Sequence, residues 1–251
     1  MPRVIAVANQ KGGVAKTTTV HTLGAAVVEQ GHRVLLVDLD PQACLTFSTG
    51  LDPDQLEQSL HDVMIGRARA RDVLHKAGDL HLLPSSIDLA GAEVVLLGKT
   101  GREYVLRRAI EPLLEAYDLV LIDCPPSLGI LTINGLTAAT EVLVPLQCET
   151  LSHRGVGQLL DTIEDVRAYT NADLRVRGVI ATMYDSRTKL AQHVVESIPK
   201  NYGLPVLDPP VPKSVKVAEA PSFGRSILEH APNSKGADAY RALAEKLLAS
   251  A

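Results

Sequence analysis

The sequence predicts an α/β protein built on a doubly wound, mostly parallel β-sheet with helices on both faces. Three observations carry that expectation. Short runs rich in Val, Leu and Ile alternate with longer helical segments along the chain, the order that builds a parallel sheet. Aromatic residues make up 3% of the chain and Trp is absent, so the core must be aliphatic, which suits a sheet buried on both faces. A glycine-rich loop joins the first apolar run to the first helical segment, the place where such folds hold phosphate.

The strands are expected at 3–9 (RVIAVAN), 33–40 (RVLLVDLD), 80–84 (LHLLP), 118–126 (DLVLIDCPP), 141–147 (EVLVPLQ) and 175–185 (RVRGVIATMYD). Each is short, aliphatic and bounded by Gly, Pro or charge. Helices are expected at 17–31, 101–117, 151–169 and 190–202, with Gly31 placed as a C-terminal cap. Prolines bar regular structure from "LDPPVPKSV" at 207–215. Residues 234–251 read as a last helix, with Tyr240, Leu243, Leu247 and Leu248 forming an apolar face against the body. There is no repeat, low-complexity tract or long linker, so residues 1–251 are expected to form a single domain.

Composition narrows the function. Apolar residues at 46% and charged residues at 22% are ordinary for a soluble globular protein. Cys44, Cys124 and Cys148 are odd in number and form no C-x-x-C pair, which argues against a disulfide or zinc framework and for a reducing cytoplasm. No signal peptide precedes the first strand and no apolar run reaches a membrane span, so a soluble cytoplasmic protein is expected. Net charge is −4, yet residues 174–225 carry eight Lys or Arg against four Asp or Glu, leaving −8 for the remainder. A local basic region binds a polyanion regardless of the total charge; a solvated mixed-charge surface is the plainer alternative.

The loop "NQKGGVAKTTT" fails the usual G-x-x-x-x-G-K-[ST] phosphate-loop pattern, because Gln10 and Ala15 stand where its glycines belong. Its context supports a phosphate site nonetheless, since a strand feeds it and a Thr-rich helix follows at once. Loop amides, including those of Val14 and Ala15, together with the helix N-terminus attract an anion. Gly12 and Gly13 allow close backbone approach, Lys16 reaches the β- and γ-phosphates, Thr17 offers a hydroxyl to Mg²⁺, and Thr18 lies one step further round, near an α-phosphate. Asp123 ends one apolar strand in the place of a metal-holding Walker-B acid, and Asp38 and Asp40 end another. All three carboxylates should meet at the carboxyl edge of the sheet.

With these segments in hand, "KGGVAKTT", "LLVDLDPQ", "LPSSIDLAGAE", "LVLIDCPPSLG", "TMYDSRT" and the stretch from Val217 to Leu248 resemble the ParA/Soj family of partition ATPases, over residue 3 to the end. The resemblance implies a P-loop NTPase with a deviant Walker A loop, K-G-G-x-x-K-[ST], using ATP and Mg²⁺. It implies that Lys11 contacts the nucleotide of the other subunit in an ATP-sandwich homodimer. Lys16 serves its own nucleotide, Asp40 orients the attacking water within the metal–phosphate site, and Asp123 is the Walker-B acid. It further implies non-specific DNA binding through Arg187 and the basic positions Lys213 and Lys216, nucleoid association in the ATP state, and a ParB-like partner or another cargo adaptor. Met183 and Pro212 are the implied adenine contacts. The family usually has Gly at position 15, and Ala15 is expected at negative φ, where its methyl is tolerated.

Three other classes share the loop. A MinD-like membrane-positioning ATPase would need a basic amphipathic C-terminal helix with bulky apolar residues, which "AYRALAEKLLASA" lacks. A nitrogenase-reductase-like electron carrier would need paired cysteines in Gly-rich surroundings for an iron–sulfur cluster. A small-molecule ligase would need a substrate motif that the sequence does not show. No helix-turn-helix or zinc signal is present, so any DNA contact should be to the backbone.

Overall fold

The computed structural model describes residues 2–148 and 152–249. The first half runs β1 (Arg3–Val7), α1 (Lys16–Glu29), β2 (Val34–Asp38), α2 (Cys44–Ser48), α3 (Leu60–Ile65), β3 (His75–Ala77), β4 (Leu80–Leu83), α4 (Leu89–Leu97) and α5 (Val105–Ile110). The second half runs β5 (Leu119–Asp123), α6 (Ile130–Ala138), β6 (Glu141–Gln147), α7 (Ser152–Tyr169), β7 (Arg175–Thr182), α8 (Lys189–Tyr202), β8 (Val206–Leu207), α9 (Val215–Glu219), α10 (Ile227–His230) and α11 (Lys235–Ala249). Eight strands form one sheet in the order β3-β4-β2-β5-β1-β6-β7-β8. Among the described residues only the β3–β4 pair is antiparallel.

The expected fold class and all six expected strands are present. Strand alternation explains why their sequences are apolar throughout. Val4 and Ala6 of β1 join the core under α3 to α8, whereas Ile5 and Val7 join the core under α1, α10 and α11. Strands β2 and β5 divide in the same way: Leu35, Val37, Val120 and Ile122 point to one side, Leu36, Leu119 and Leu121 to the other. A parallel sheet covered on both faces leaves no place for polar alternation.

The central strand β1 lies between β5 and β6, so the chain crosses to opposite sides of it. That is the switch point at which such sheets open a crevice beyond their carboxyl ends. Helix α1 packs closely over it. A Cβ on Gly24 would lie 2.8 Å from Leu36 Cδ2, so any larger residue there would push the Leu36 side chain aside. Helix α11 seals the far side of α1 with the expected face: Tyr240, Leu243 and Leu247 are buried, and Leu248 packs against the same cluster. The Tyr240 hydroxyl meets Thr19 Oγ1 at 3.0 Å.

Several elements depart from expectation. The helix expected over 101–117 is a 3₁₀ turn at Arg102–Tyr104, then α5, then 3₁₀ turns at Glu111–Ala116. Pro112 supplies no N–H and crowds the preceding turn, which breaks the α-helix there. Helices α4 and α6 were not expected, because both are apolar nearly all round and show no amphipathic period. Strands β3 and β8 are three and two residues long, too short to announce themselves. Gly31 adopts φ +85 just past α1 and caps it as expected. The expected helices at 151–169 and 234–251 extend at Leu151, Ser250 and Ala251 outside the described residues.

One buried base makes the fold acid-labile. His21 of α1 is 5% exposed, and burial pushes its pKa down to about 4, with the Glu229 charge opposing. An unfolded chain takes up this proton near pH 6.5, whereas the folded chain resists it until about pH 4. Stability is therefore lost as pH falls through that window, by roughly 2–3 kcal/mol between pH 7 and pH 4.5. Urea midpoints for His21→Gln should fall less over that range than those of the wild type. Equal slopes would rule the account out.

Candidate active site

The site is built on three strand ends. Val7 pairs with Asp123 across β1 and β5, and Asp38 pairs with Asp123 across β2 and β5, so the three residues stand level. The chain leaves β1 into the glycine-rich loop, whose anchor is Asn9. Its side chain donates to Pro145 O at 2.8 Å and accepts from the Lys11 N–H at 3.0 Å. Val14 is buried, and its carbonyl accepts from Thr182 Oγ1 at 3.0 Å. Gly12 and Gly13 face open space. Lys16 is buried, and its Nζ donates to Lys11 O at 3.3 Å, so the loop is drawn round its ammonium.

Ala15 overturns the expectation of negative φ. It sits at φ 68, ψ 34, in the left-handed region, as the residue that caps α1. The reason lies in the entry to the helix. The Ala15 carbonyl accepts from Thr19 N–H at 2.9 Å and already belongs to the helix, while the chain before it must reverse around the loop. A residue with a side chain costs about 1–2 kcal/mol in this conformation, and glycine would cost nothing. The methyl is therefore strained, not stiffening.

The acids gather below the loop. Thr17 Oγ1 donates to Asp123 Oδ2 at 2.6 Å, while the other oxygen, Asp123 Oδ1, is buried with no hydrogen-bond partner among the described residues. Asp38 and Asp40 are also buried. Burial raises the Asp38 pKa to about 7 against hydrogen bonds from Thr46 and Asp40. Burial also raises Asp123 well above the carboxylate range, aided by the Asp38 charge and opposed by Thr17 and Lys16. Lys16 is pushed down by burial against the pull of Asp123. Anionic oxygens crowded in a dry place want another cation beside Lys16. Among the described residues no three His, Cys, Asp or Glu side chains form a metal cage. A hydroxyl, one or two carboxylates and ligand oxygens are instead the donor set of Mg²⁺, and Thr17 with Asp123 fits it.

Above this lies a cavity of about 1040 Å³. Gly12, Gly13, Ala15, Lys16, Thr17, Thr18, Asp40, Met183 and Pro212 all line it, so most sequence-predicted residues converge. Lys11, Val14 and Asp123 do not line it; Asp123 is tied to it through Thr17. Met183 takes φ 50, and the next residue ties its loop to Pro212: Tyr184 N–H donates to Val211 O at 2.9 Å, and Lys213 N–H donates to Tyr184 O at 3.2 Å. Phe47, Thr182 and Tyr240 also line the cavity, and nothing in the sequence marks them as site residues. Tyr240 is legible only as a core residue, because nothing in a helical period shows that its hydroxyl reaches Thr19 of α1, 221 residues away.

The residues expected to meet DNA divide. Lys216 and Arg187 are exposed outside the cavity, whereas Lys213 is one of its lining residues. Arg187 is held by Asp185 through two bonds, 2.9 and 2.8 Å long.

A glycine-rich loop between β1 and α1, a helix-start hydroxyl on a strand-end carboxylate, and a parallel sheet that switches at β1 define a P-loop NTPase. An AAA domain family model (AAA_31) matches residues 2–176. The chain is 42% identical to the sporulation initiation inhibitor protein Soj of Bacillus subtilis, over 100% of both chains. It is 47% identical to the chromosome-partitioning ATPase Soj of Thermus thermophilus, covering 98% of this chain and 96% of that one. It superposes with a TM-score of 0.90 on a Mycobacterium smegmatis protein described as cobyrinic acid a,c-diamide synthase with bound ATP analogue and magnesium, which is 55% identical over 99% of this chain and 95% of that one. The chain belongs to the ParA/Soj family of partition ATPases.

Replacing Ala15 by glycine should remove the strain at the loop. The denaturation midpoint of Ala15→Gly should rise, by up to about 1 kcal/mol of stability once glycine's greater unfolded-state freedom is subtracted. A lower midpoint would refute the strain.

Proposed function

We propose that the chain is an ATPase that pairs on ATP, binds DNA non-specifically as the pair, and moves a DNA cargo together with a ParB-like partner. The observation that carries this reading is the loop with two lysines. Lys16 is committed inward, beside Asp123 and in the cavity lining, while Lys11 stands five residues earlier in the same loop and does not line that cavity; this reading gives Lys11 to the nucleotide of a second subunit. A cation supplied by a partner completes the site only in the pair and stabilises charge on the transferring phosphoryl group, as arginine fingers do. ATP then favours the paired state because it contacts both copies. Ile87, Val94 and Leu97 form an exposed apolar stripe on α4 and the turn before it, which a second copy would cover in this reading.

In this reading Thr17 and Asp123 hold magnesium, which neutralises charge on the β- and γ-phosphates when bound. Asp40 accepts the proton side of the attacking water and orients it. Lys16 and the loop amides hold the phosphates. Met183 and Pro212 contact the base. Arg187 and Lys216 meet the DNA backbone, and Lys213 stands between the two sites. Doubling the basic surface on pairing steepens DNA affinity through counterion release. The protein is then cytoplasmic, and nucleoid-associated in the ATP state.

The name of the Mycobacterium smegmatis relative favours a second reading, an ATP-dependent amide synthase. A thiol serving such a synthase as nucleophile would need its pKa lowered. Here burial raises the thiols of Cys124 and Cys148, and burial with neighbouring carboxylates raises that of Cys44. A membrane-positioning role finds little support: Arg241 and Lys246, two of the three basic residues of α11, are engaged with Glu29 and Asp208. No described helix is long and apolar enough to cross a membrane.

Phosphate release from ATP and Mg²⁺ alone, with no carboxylic acid substrate added, separates the first two readings. Asp40→Ala should still bind nucleotide but release phosphate roughly 10²-fold more slowly or worse. The same variant, locked with ATP, should retain a centromere-binding protein from native lysate; recovery of an unrelated adaptor would assign another cargo. Arg187→Glu should abolish ATP-dependent DNA retention and leave pairing intact. Lys213→Glu should weaken nucleotide binding as well, because it lines the cavity. DNA retention surviving Arg187→Glu would mean that the surface is elsewhere.

A further inference from the structure

Asp40 is gripped by groups that cannot touch a bound nucleotide. Its N–H donates to Asp38 Oδ1 at 3.3 Å, and its carbonyl accepts from Ser85 Oγ at 2.8 Å. The second oxygen of Asp38 accepts twice from one residue, from Thr46 N–H at 2.8 Å and from Thr46 Oγ1 at 2.7 Å. Thr46 Oγ1 in turn accepts from Ser85 N–H at 2.8 Å. Asp38, Thr46, Ser85 and Asp40 therefore close a ring of hydrogen bonds drawn from the end of β2, from α2 and from the loop after β4. Thr46 and Ser85 are both 0% exposed, and neither lines the cavity.

The chemistry of the ring leaves little freedom. Thr46 spends its one hydroxyl hydrogen on Asp38 and a lone pair on the Ser85 amide, and Ser85 spends its hydroxyl hydrogen on the Asp40 carbonyl. A second observation points the same way. Ala43, whose N–H donates to the Asp40 carbonyl at 2.9 Å, sits at φ 51 without being glycine. Such a conformation persists only where its surroundings over-determine it. The Asp40–Ala43 turn is thus strained and clamped, with the Asp40 carboxylate left at the cavity wall and bonded to Gln42 N–H at 2.9 Å.

We propose that Thr46 and Ser85 are positioning residues, which aim the Asp40 carboxylate at the reacting end of the cavity before any nucleotide arrives. The proposal rests on the reading of Asp40 as the residue that orients the attacking water. Pre-alignment of this kind acts on turnover rather than on binding, because a misplacement of about 1 Å in a catalytic group can cost about 10²-fold in rate.

The test compares Thr46→Val, Thr46→Ser and Ser85→Ala with the wild type in the full chain. The measurements are kcat and KM for ATP, affinity for a fluorescent ATP analogue, and deuterium exchange of peptides spanning residues 39–46. Thr46→Val and Ser85→Ala should lower kcat about tenfold or more while nucleotide affinity stays within about twofold, and Thr46→Ser should recover most of the rate. Exchange across 39–46 should quicken in the first two variants and return to wild-type values in Thr46→Ser. Unchanged kcat and exchange, losses of rate and affinity in step, or a Thr46→Ser variant no better than Thr46→Val would each overturn the proposal. If the wild type itself releases no phosphate, the ATPase reading fails, and exchange alone then decides whether the ring holds Asp40. Should Thr46→Val not fold, Ser85→Ala breaks the ring from its other side and carries the same readouts.

Discussion

The level register of Val7, Asp38 and Asp123 at the ends of three adjacent parallel strands is the constraint on which the site depends. Parallel pairing with both faces buried sets that register, because a slip of one residue would turn every aliphatic side chain to the wrong face. Once it is set, the glycine-rich loop must start beside Asp123, and α1 must begin above it. The short bond from Thr17 to Asp123 then ties the helix to the strand. Two carboxylates end up side by side in a dry place, and burial above all, with the Asp38 charge added at Asp123, raises their pKa values.

The strain in the molecule is gathered at the same edge. Ala15, Ala43 and Met183 are the non-glycine residues at positive φ among those described, and each stands at a cavity loop. Left-handed backbone lets the chain reverse sharply enough to bring amides, carboxylates and a lysine to one point. The sheet interior, by contrast, is unstrained aliphatic packing. The two cores and the helices over them stabilise a rim that would not hold its shape alone.

Much of the site was legible because its chemistry is local in sequence. Gly12, Gly13, Lys16, Thr17 and Thr18 lie within seven consecutive residues that also carry the strand–loop–helix signal. Asp38, Asp40 and Asp123 were legible because a strand end is read from its aliphatic run, and the sheet brings such ends together. The conformation of Ala15 was not legible, since the sign of φ depends on where the incoming strand points relative to the helix axis. Helices α4 and α6 escaped because both are apolar nearly all round, which erases the amphipathic period that marks a helix.

The sequence by itself determined the fold class, the strand ends that carry acids, and the family, since each rests on aliphatic patterning or on contiguous motifs. Tertiary structure alone decided which side chains support those acids. Thr46 and Ser85 lie 6 and 45 residues from Asp40, and no local pattern distinguishes a hydroxyl that braces the turn at Asp40 from one that faces water. Tertiary structure also decided that Lys213 belongs to the cavity wall while Lys216 and Arg187 stand outside it. A few residues of chain suffice to turn a lysine from one surface to another, and only the packing of the β8–α9 connection against Tyr184 selects between them.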